Sequence, residues 1–231
     1  MTSKLFPEQL QGLQRHDTCT LSNAIESFEV RLRNEGFAAA CVRRLTPGPV
    51  PLVGYAVTLR IRCANLPKDG HPYVERTDWW DQLADMPGPL VVVIQDMDEK
   101  PGTGSFIGEV HAAILAALGC VGVITNGAVR DLPALEKTSF EVFAGSLAVS
   151  HAYSHIVEVG GPVEIGGLTV HPGDLLHADA HGVLSVPLDI AGQIAAVADA
   201  IVQRERRVLE LCRSPGFSLE KLRDAVKGIF H

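Results

Sequence analysis

Apolar residues recur along this chain with two spacings, which predict a mixture of helices and strands. Apolar positions three to four residues apart predict a surface helix over Pro7–His16, a second helix over Leu21–Val30 and a long amphipathic helix over Ile190–Cys212. Alternation through Leu52–Cys63 predicts a strand with one buried face. The continuous apolar run Pro89–Gln95 instead predicts a strand that is covered on both faces.

The remaining pattern completes an α/β layered sandwich. Further strands are predicted at Ala38–Leu45, Cys120–Thr125 and Phe140–Val149, and short helices at Thr77–Leu83 and after Ser218. Late turns predict hairpins at Gly166-Gly167, Pro172-Gly173-Asp174 and Gly182. Strands that mix with helices and end in hairpins indicate a mixed sheet. We expect one domain over residues 1–231, with a core at about 17–190 and C-terminal helices at about 190–228.

Composition and charge narrow the class of protein. The chain has 231 residues, of which 46% are hydrophobic, and a formal net charge of −7, so the basic face that nucleic-acid binding needs is not expected. Five widely spaced cysteines without a C-x-x-C pair indicate reduced thiols. The N-terminus lacks the apolar stretch of a signal peptide, and the longest apolar stretch is too short to span a bilayer. We expect a soluble cytoplasmic protein that binds neither nucleic acid nor a membrane.

The segment Gly108–Asp131, GEVHAAILAALGCVGVITNGAVRD, opens with an apolar helix. This helix begins either at Ser105 or at the first glycine of the segment. In both cases the free amides of its first turn, at Glu109, Val110 and His111, would point at one place and form an anion site. Helix N-termini also favour acids for purely structural reasons, so Glu109 alone does not establish a site.

The same segment ends in a pair of opposite charges. After the strand Cys120–Thr125, a turn is predicted at Asn126-Gly127, and Arg130 and Asp131 follow. Pro133 favours a second helix there, and the bend into it would let both side chains serve one site. Open α/β sheets bind ligands where strands end and helices begin. The alternative is that the acid is an ordinary helix cap and the arginine a surface charge.

The spacing of these charges resembles a family motif, in which an acid is followed by twenty positions and then by Arg-Asp. Together with the stretch GGLTVHPGDLLHADAHGVLSVP, it is similar to the RraA-like family. Within that family the resemblance is to the metal-dependent 4-hydroxy-4-methyl-2-oxoglutarate / 4-carboxy-4-hydroxy-2-oxoadipate aldolases, and it extends from Leu21 through the long C-terminal helix. It implies an α/β/β fold of the swivelling-domain type with a C-terminal helical tail, and a homotrimer or homohexamer.

The resemblance also implies roles for individual residues. Asp131 corresponds to the metal ligand, and Arg130 to the residue that contacts the pyruvyl end of the substrate. Glu109 takes the place of an acid that holds a water ligand of the metal. The loop whose amides hold the substrate carboxylate corresponds to Gly108, Glu109, Val110 and His111. The chain departs from typical members at Asn23, His111, Ala134 and an insert with Trp79-Trp80.

Reaction chemistry agrees with these roles. Cleavage of a C–C bond beside a hydroxyl leaves the enolate of pyruvate, which needs an electron sink. The lysines lie in polar or terminal contexts that do not suit a Schiff base: Lys4, Lys68, Lys100, Lys137, Lys221 and Lys227. A divalent cation that polarises the C2 carbonyl is the other solution, and one carboxylate with waters suits Mg²⁺, or Mn²⁺. We expect cleavage of a 4-hydroxy-2-oxo acid and decarboxylation of oxaloacetate through the same enolate.

Other readings of the sequence remain. The alternative function is that of a non-catalytic RraA-type regulator, which binds the endoribonuclease RNase E through its surface; the acid at Asp131 favours the enzyme. His151 and His155 have a spacing that a zinc site on a helix would use, but no third ligand lies near them. We expect turn and surface positions for His171, His177 and His181, and turn-forming roles for Asp174 and Asp179.

Overall fold

The computed structural model of the protein describes residues 5–67, 77, 79–86 and 88–227. Over these residues the chain forms eleven strands and seven helices. The strands are β1 (Arg43–Arg44), β2 (Leu52–Arg62), β3 (Leu90–Asp96), β4 (Ser105–Ile107), β5 (Cys120–Val129), β6 (Glu141–Leu147), β7 (His155–Val159), β8 (Val163–Ile165), β9 (Leu168–Val170), β10 (Leu175–Asp179) and β11 (Gly182–Val186). The helices are α1 (Pro7–Gln14), α2 (Thr18–Glu26), α3 (Trp80–Asp85), α4 (Glu109–Ala117), α5 (Leu132–Leu135), α6 (Ala191–Arg213) and α7 (Leu219–Val226).

Nine of these strands form one mixed sheet, which confirms the predicted sheet type. Its strand order is β1-β6-β5-β3-β2-β10-β11, with β4 beside β5 and β7 beside β2. The neighbours β2, β3, β5 and β6 run parallel, as do β4 and β5. The strands β1, β7, β10 and β11 are antiparallel to their neighbours. The remaining strands, β8 and β9, form a separate hairpin around the predicted turn at Gly166-Gly167.

The sheet separates two apolar cores, and β3 shows how. Its side chains point alternately to opposite faces. Val92 and Ile94 belong to the core that contains residues of α2, α4 and α6. Val91 and Val93 belong to the core that contains the β8–β9 hairpin. The layers are therefore helices, sheet and hairpin, which confirms the predicted α/β/β fold, and the buried strand predicted at Pro89–Gln95 is confirmed as β3.

The prediction of one buried face for β2 is wrong, because both cores cover this strand. Every residue from Leu52 to Leu59 is buried. The positions that alternate with the large apolar ones are small, and they lie against neighbouring elements. At Gly54, an added Cβ would lie only 2.8 Å from Cγ2 of Val91. Small residues that are covered by a second layer therefore alternate with large apolar ones in the same way as solvent-facing residues do.

The turn predicted at Asn126-Gly127 is also absent, since β5 runs on to Val129. The pairing of β5 with β6 shifts in register between Thr125 and Ala128. At this shift the Asn126 side chain replaces main-chain pairing: its Oδ1 accepts from Asp96 N at 2.7 Å and its Nδ2 donates to Asp96 O at 3.0 Å. An asparagine that would favour a turn in an isolated peptide is thus held inside a strand.

Several element boundaries differ from the predictions. The strand expected over Ala38–Leu45 is limited to β1, and α3 begins three residues later than the predicted Thr77. The strand β7 was not predicted. Of the two proposed starts of α4, the one at Gly108 is correct, because the preceding residues pair with β5 as β4. These differences follow from strand pairing with distant segments, which short-range periodicity does not report.

The prediction of a turn or surface position for His177 is wrong. This residue lies in β10 with no exposed surface, and its Nδ1 lies 3.0 Å from Oγ1 of Thr18. Burial lowers the pKa of His177 to about 4, so the ring is neutral at pH 7. Asp179 does bond nearby main chain, at His181, but it is buried and its Oδ2 also accepts from Thr18 N at 2.8 Å. His177 and Asp179 thus join β10 to Thr18, the first residue of α2.

The C-terminal helices α6 and α7 form the predicted helical tail. On α6, Ile194 and Ala198 are fully buried against the helix-side core. The predicted cap of α7 is confirmed, since Ser218 Oγ accepts from Lys221 N at 3.3 Å. Within the described ranges, none of the helices is both long and apolar enough to cross a membrane. The single-domain organisation of residues 1–231 stays a prediction.

Candidate functional site

The two ends of the Gly108–Asp131 segment meet at one edge of the sheet. Strands β4 and β5 are parallel, and Ile107 pairs with Val129. The next residues along the two strands, Gly108 and Arg130, therefore leave the sheet side by side. Arg130 N donates to Ile107 O at 2.9 Å and extends this pairing by one residue. The site is thus placed where two strands end and α4 begins.

A left-handed backbone at Asp131 directs its side chain towards this point. Its φ of 59° and ψ of 31° turn the chain sharply after β5, in a region that aspartate tolerates better than most residues. Such a conformation typically costs about 1–3 kcal/mol and is common at functional sites. The side chain makes no cap bond to α5. Instead its Oδ2 accepts from Glu109 N at 3.1 Å, and its Oδ1 from Arg130 Nε at 3.2 Å.

Gly108 leaves the space that this carboxylate occupies. A Cβ built on Gly108 would lie 2.5 Å from Oδ2 of Asp131 and 3.0 Å from Cγ of Arg130. Both distances are shorter than a relaxed contact. The glycine at the start of α4 is therefore required by the close approach of the Arg130-Asp131 pair.

The electrostatics keep Asp131 ionised. The N–H of Glu109 is the largest influence on the pKa of Asp131 and lowers it. Burial, the second influence, raises the pKa, and the Arg130 guanidinium lowers it further. The Asp131 side chain keeps 35% of its surface exposed. An ionised and accessible carboxylate of this kind fits Mg²⁺, which binds to one or two carboxylates and retains several waters. Among the predicted residues, Asp131 is the one that fits as a metal ligand.

These groups open into a pocket of about 420 Å³. Its described lining residues are Trp79, Trp80, Phe106, Gly108, Val110, His111, Ile114, Arg130, Asp131 and His151. Five of the six predicted site residues are in this set. Glu109 is the exception: its side chain is exposed, and it contributes its main-chain amide to Asp131. The first turn of α4 also contains the amides of Val110 and His111, at the positive end of the helix dipole.

The side chains of two histidines in this pocket, His111 and His151, were not predicted to take part in the site. His151 Nδ1 lies 2.8 Å from the carbonyl oxygen of Ser105. Because a carbonyl oxygen can only accept, Nδ1 is the donor in this hydrogen bond. The following residue, Ala152, has a left-handed φ of 48°. Burial, and secondly the neighbouring His151, lower the pKa of His111. His151 comes from an irregular loop, so no periodic signal identified it.

The zinc site considered for His151 and His155 does not have the helical geometry that it would need. His155 is the first residue of β7, and its Nδ1 lies 2.7 Å from the carbonyl oxygen of Tyr153. The two histidines are separated by a turn rather than stacked on one helical face. Of this pair, His151 lines the pocket.

A second group of potential ligands, Cys63, Asp96 and Asp98, was missed in the sequence. All three are buried, and their ligand atoms lie within 4.8 Å of one another. The carboxylates are bonded to main chain: Asp98 Oδ2 accepts from the amides of Cys63 and Ala64, and Asp96 Oδ2 from that of Gly102. Burial raises the pKa of Cys63 to about 11, which keeps it a thiol at neutral pH. These bonds indicate that the group fixes the loop after β3.

The fold and the pocket define a class of protein, a layered α/β/β protein with an aspartate–arginine pair at the carboxyl ends of parallel strands. Residues 18–185 match the protein family described as RraA-like, Aldolase/RraA. This match covers well over half of the chain, and the chain belongs to the RraA-like family.

Individual proteins match the chain at low identity. Protein DlpA of Legionella pneumophila is 25% identical over 228 residues, which cover 96% of this chain and 34% of DlpA. A Halalkalibacterium halodurans protein, provisionally named 4-hydroxy-4-methyl-2-oxoglutarate aldolase, is 30% identical over 103 residues, or 44% of this chain and 47% of that protein. The chain thus spans about a third to a half of these relatives. The crystal structure of an uncharacterized Pseudomonas syringae protein shares the fold, with a TM-score of 0.74 at 24% identity over 97% of this chain and 96% of that one.

Proposed function

We propose that the protein is a divalent-metal-dependent pyruvate aldolase. It cleaves the C3–C4 bond of a 4-hydroxy-2-oxo acid, releases pyruvate and decarboxylates oxaloacetate through the same enolate. The observation that carries this proposal is the Asp131 carboxylate, which is anchored to the first amide of α4 beside Arg130 in an open pocket. Membership of the RraA-like family and the name of the H. halodurans relative support a lyase of this kind.

Arg130 is proposed to hold the C1 carboxylate of the substrate. Its Nε–H donates to Oδ1 of Asp131 at 3.2 Å, which orients the guanidinium in the pocket that it lines. A guanidinium binds a carboxylate through two parallel hydrogen bonds and so fixes its plane. The first-turn amides of Val110 and His111, with the positive end of the α4 dipole, favour the same anion. Together these donors set where C2 and C4 of the substrate lie.

Asp131 is proposed to hold the metal, with Mg²⁺ as the first choice and Mn²⁺ as the second. When bound, such an ion polarises the C2 carbonyl and stabilises the negative charge that pyruvate carries after the bond breaks. Two proton movements remain, from the C4 hydroxyl and to C3 of pyruvate. Glu109 is proposed as the acid–base group for these, because its exposed carboxylate lies on the residue whose amide anchors Asp131.

Pyruvate release tests the proposal directly. The protein is assayed with 4-hydroxy-4-methyl-2-oxoglutarate and with oxaloacetate, in Mg²⁺ or in excess chelator, against enzyme-free blanks that contain the same metal. We expect chelation and Asp131→Ala each to lower turnover by at least about 10³-fold, since each removes a preorganised charge from the reacting centre. Asp174→Ala is the matched control, because its carboxylate caps an exposed turn at His171. Metal-independent release, or full activity of Asp131→Ala, would refute the mechanism.

The protein is further proposed to act as a homotrimer or homohexamer in the cytoplasm. Apolar side chains are exposed beside the site: Val110 at 71%, Leu147 at 54% and Val149 at 98%. Leu147 pairs with Val129, immediately before Arg130, so this surface adjoins the pocket. Light scattering on the purified chain measures the mass of the assembly. If the chain is monomeric and turns over none of these substrates, a binding assay with RNase E tests the regulatory alternative.

A further inference from the structure

The pocket has an apolar part that the chemistry at Asp131 does not use. Ile114 lies five residues after Glu109, which places it about 7.5 Å further along the α4 axis. His111 is one turn before Ile114 and lies on the same face of the helix. The pocket therefore extends from the charged start of α4 along its first two turns. A 2-oxo acid bound at Arg130 would extend its fourth carbon into this part of the pocket.

Aromatic side chains form much of this apolar part. Trp79 and Phe106 are 1% and 2% exposed, so both rings are held by the core rather than free to move. The ring of Phe106 lies 5.0 Å from that of His111, with the two planes inclined at 37°. Trp80 packs against the same core at the start of α3. A rigid set of rings of this kind favours a flat, apolar ligand.

Trp80 also carries a hydrogen-bond donor that no described residue satisfies. Its Nε1 is buried and has no partner among the described residues. Indole is a donor only, and leaving a buried donor unpaired carries a free-energy cost. A ligand with an oxygen on or beside its apolar group would remove this cost. The tryptophan thus adds a polar requirement to the apolar surface.

We propose, on the basis of the aldolase function proposed above, that the substrates are 4-hydroxy-2-oxo acids whose C4 carries an uncharged aromatic group. Retro-aldol cleavage of such a compound breaks the C3–C4 bond and leaves its electron pair on the enolate of pyruvate. The C4 hydroxyl loses its proton and becomes the carbonyl of an aromatic aldehyde, and C3 takes up a proton. No oxidant or other co-reactant is needed.

A second carboxylate at C4 fits this surface less well. Among the described lining residues, Arg130 is the only one with a guanidinium or ammonium group, and the C1 carboxylate uses it. The faces of aromatic rings carry negative charge density and disfavour an adjacent anion. His111 offsets this little, because burial lowers the pKa of its ring and so disfavours the charged form. The pocket thus favours an aromatic group on C4 of the substrate and disfavours a second carboxylate there.

Tryptophan fluorescence tests this preference apart from catalysis, because both tryptophans of the chain line the pocket. The two probes are 2-oxo-4-phenylbutanoate and 2-oxoglutarate, which carry phenyl and carboxylate at C4 and lack the hydroxyl that cleavage needs. In saturating Mg²⁺ we expect the phenyl compound to bind about tenfold more tightly. The same order is expected for kcat/KM between 4-hydroxy-2-oxo-4-phenylbutanoate and 4-hydroxy-4-methyl-2-oxoglutarate.

Variants assign the preference to the proposed surface. Trp80→Leu removes the ring and is expected to lower the phenyl-to-carboxylate ratio to about one, whereas Phe217→Leu, on an exposed C-terminal ring, should leave the ratio unchanged. Ile114→Lys, at a half-buried position, is expected to invert the ratio. Equal or weaker binding of the phenyl compound to the wild type would overturn the inference. If oxaloacetate is nevertheless turned over, the aldolase function stands; if the phenyl compound binds but no substrate is cleaved, the aldolase function fails instead.

Discussion

Replacing Gly108 by alanine is expected to displace the Asp131 carboxylate while leaving every charged residue in place. The added Cβ would lie 2.5 Å from Asp131 Oδ2, so a shift of about 0.9 Å is needed to reach a 3.4 Å contact. The bond from Glu109 N, now 3.1 Å, would then lengthen towards about 4 Å and be lost. Misplacement of a reacting group by about 1 Å commonly costs about 10²-fold, and we expect kcat/KM to fall by that factor.

The same substitution should move the pH dependence. The Glu109 N–H is the largest influence that lowers the pKa of Asp131, so its loss raises that pKa towards the ordinary value for aspartate. The acidic limb of the kcat/KM profile should therefore shift to higher pH in Gly108→Ala. Mg²⁺ affinity, measured by calorimetry, should fall as well, because the carboxylate loses the amide that orients it.

A matched substitution separates this effect from a general cost of alanine. Gly216→Ala places its Cβ 3.4 Å from the flexible Nζ of Lys221, far from the pocket, and should retain full activity. The free energy of unfolding of Gly108→Ala should change by no more than about 1 kcal/mol, since the position is a helix N-cap. If folded Gly108→Ala keeps the wild-type kcat/KM and pH profile, the close approach of Asp131 has no part in catalysis and the reasoning fails.

Three further predictions follow from single contacts. His177 has a pKa of about 4 in the fold, below the 6.5 of an unperturbed histidine, so its stabilising effect is complete above pH 6.5 and is lost as the pH falls towards 4. Urea unfolding should show a loss of about 2 kcal/mol between pH 7 and pH 5 that His177→Asn lacks; equal slopes in both proteins would contradict this. Glu109→Gln keeps the amide that anchors Asp131, so kcat should fall by about 10²-fold with KM little changed, and an unaltered kcat would remove Glu109 from proton transfer. Arg130→Lys keeps the charge but not the paired donors, so KM for oxaloacetate should rise about tenfold or more in steady-state assays; an unchanged KM would exclude the proposed clamp.

The part of the site that the sequence predicted lies in one continuous segment. A helix followed by a parallel strand returns the chain to the edge that it left, so the meeting of Gly108 with Arg130 follows from local pattern alone. His151 enters the same pocket from the loop after β6, and the two tryptophans enter it from the start of α3, where the preceding loop ends. Their positions depend on how loops pack, which leaves no periodic signal in the chain.

The errors in the fold have a related cause. At β2 and at His177, a second layer covers residues that are small or polar, and the sequence pattern records only size and polarity. Thr58 and His177 have no exposed surface, although both side chains are polar. Periodicity identifies which residues share a face, but the cover over that face is set by elements far away in the chain. The same limit concealed the burial of Asp96, at the end of β3, and of Asp98 just after it.

The bend at Asp131 explains why this position suits aspartate rather than glutamate. Aspartate is among the few residues other than glycine that adopt a left-handed backbone readily, so one residue supplies both the bend and the carboxylate. Glycine would keep the bend and lose the charge. Glutamate would keep the charge, but its additional methylene would carry the carboxylate past the Glu109 amide that now lies 3.1 Å away. Asp131→Glu is therefore expected to resemble Asp131→Ala in turnover, although it restores the charge; substantial activity in Asp131→Glu would show that the charge matters more than its anchored position.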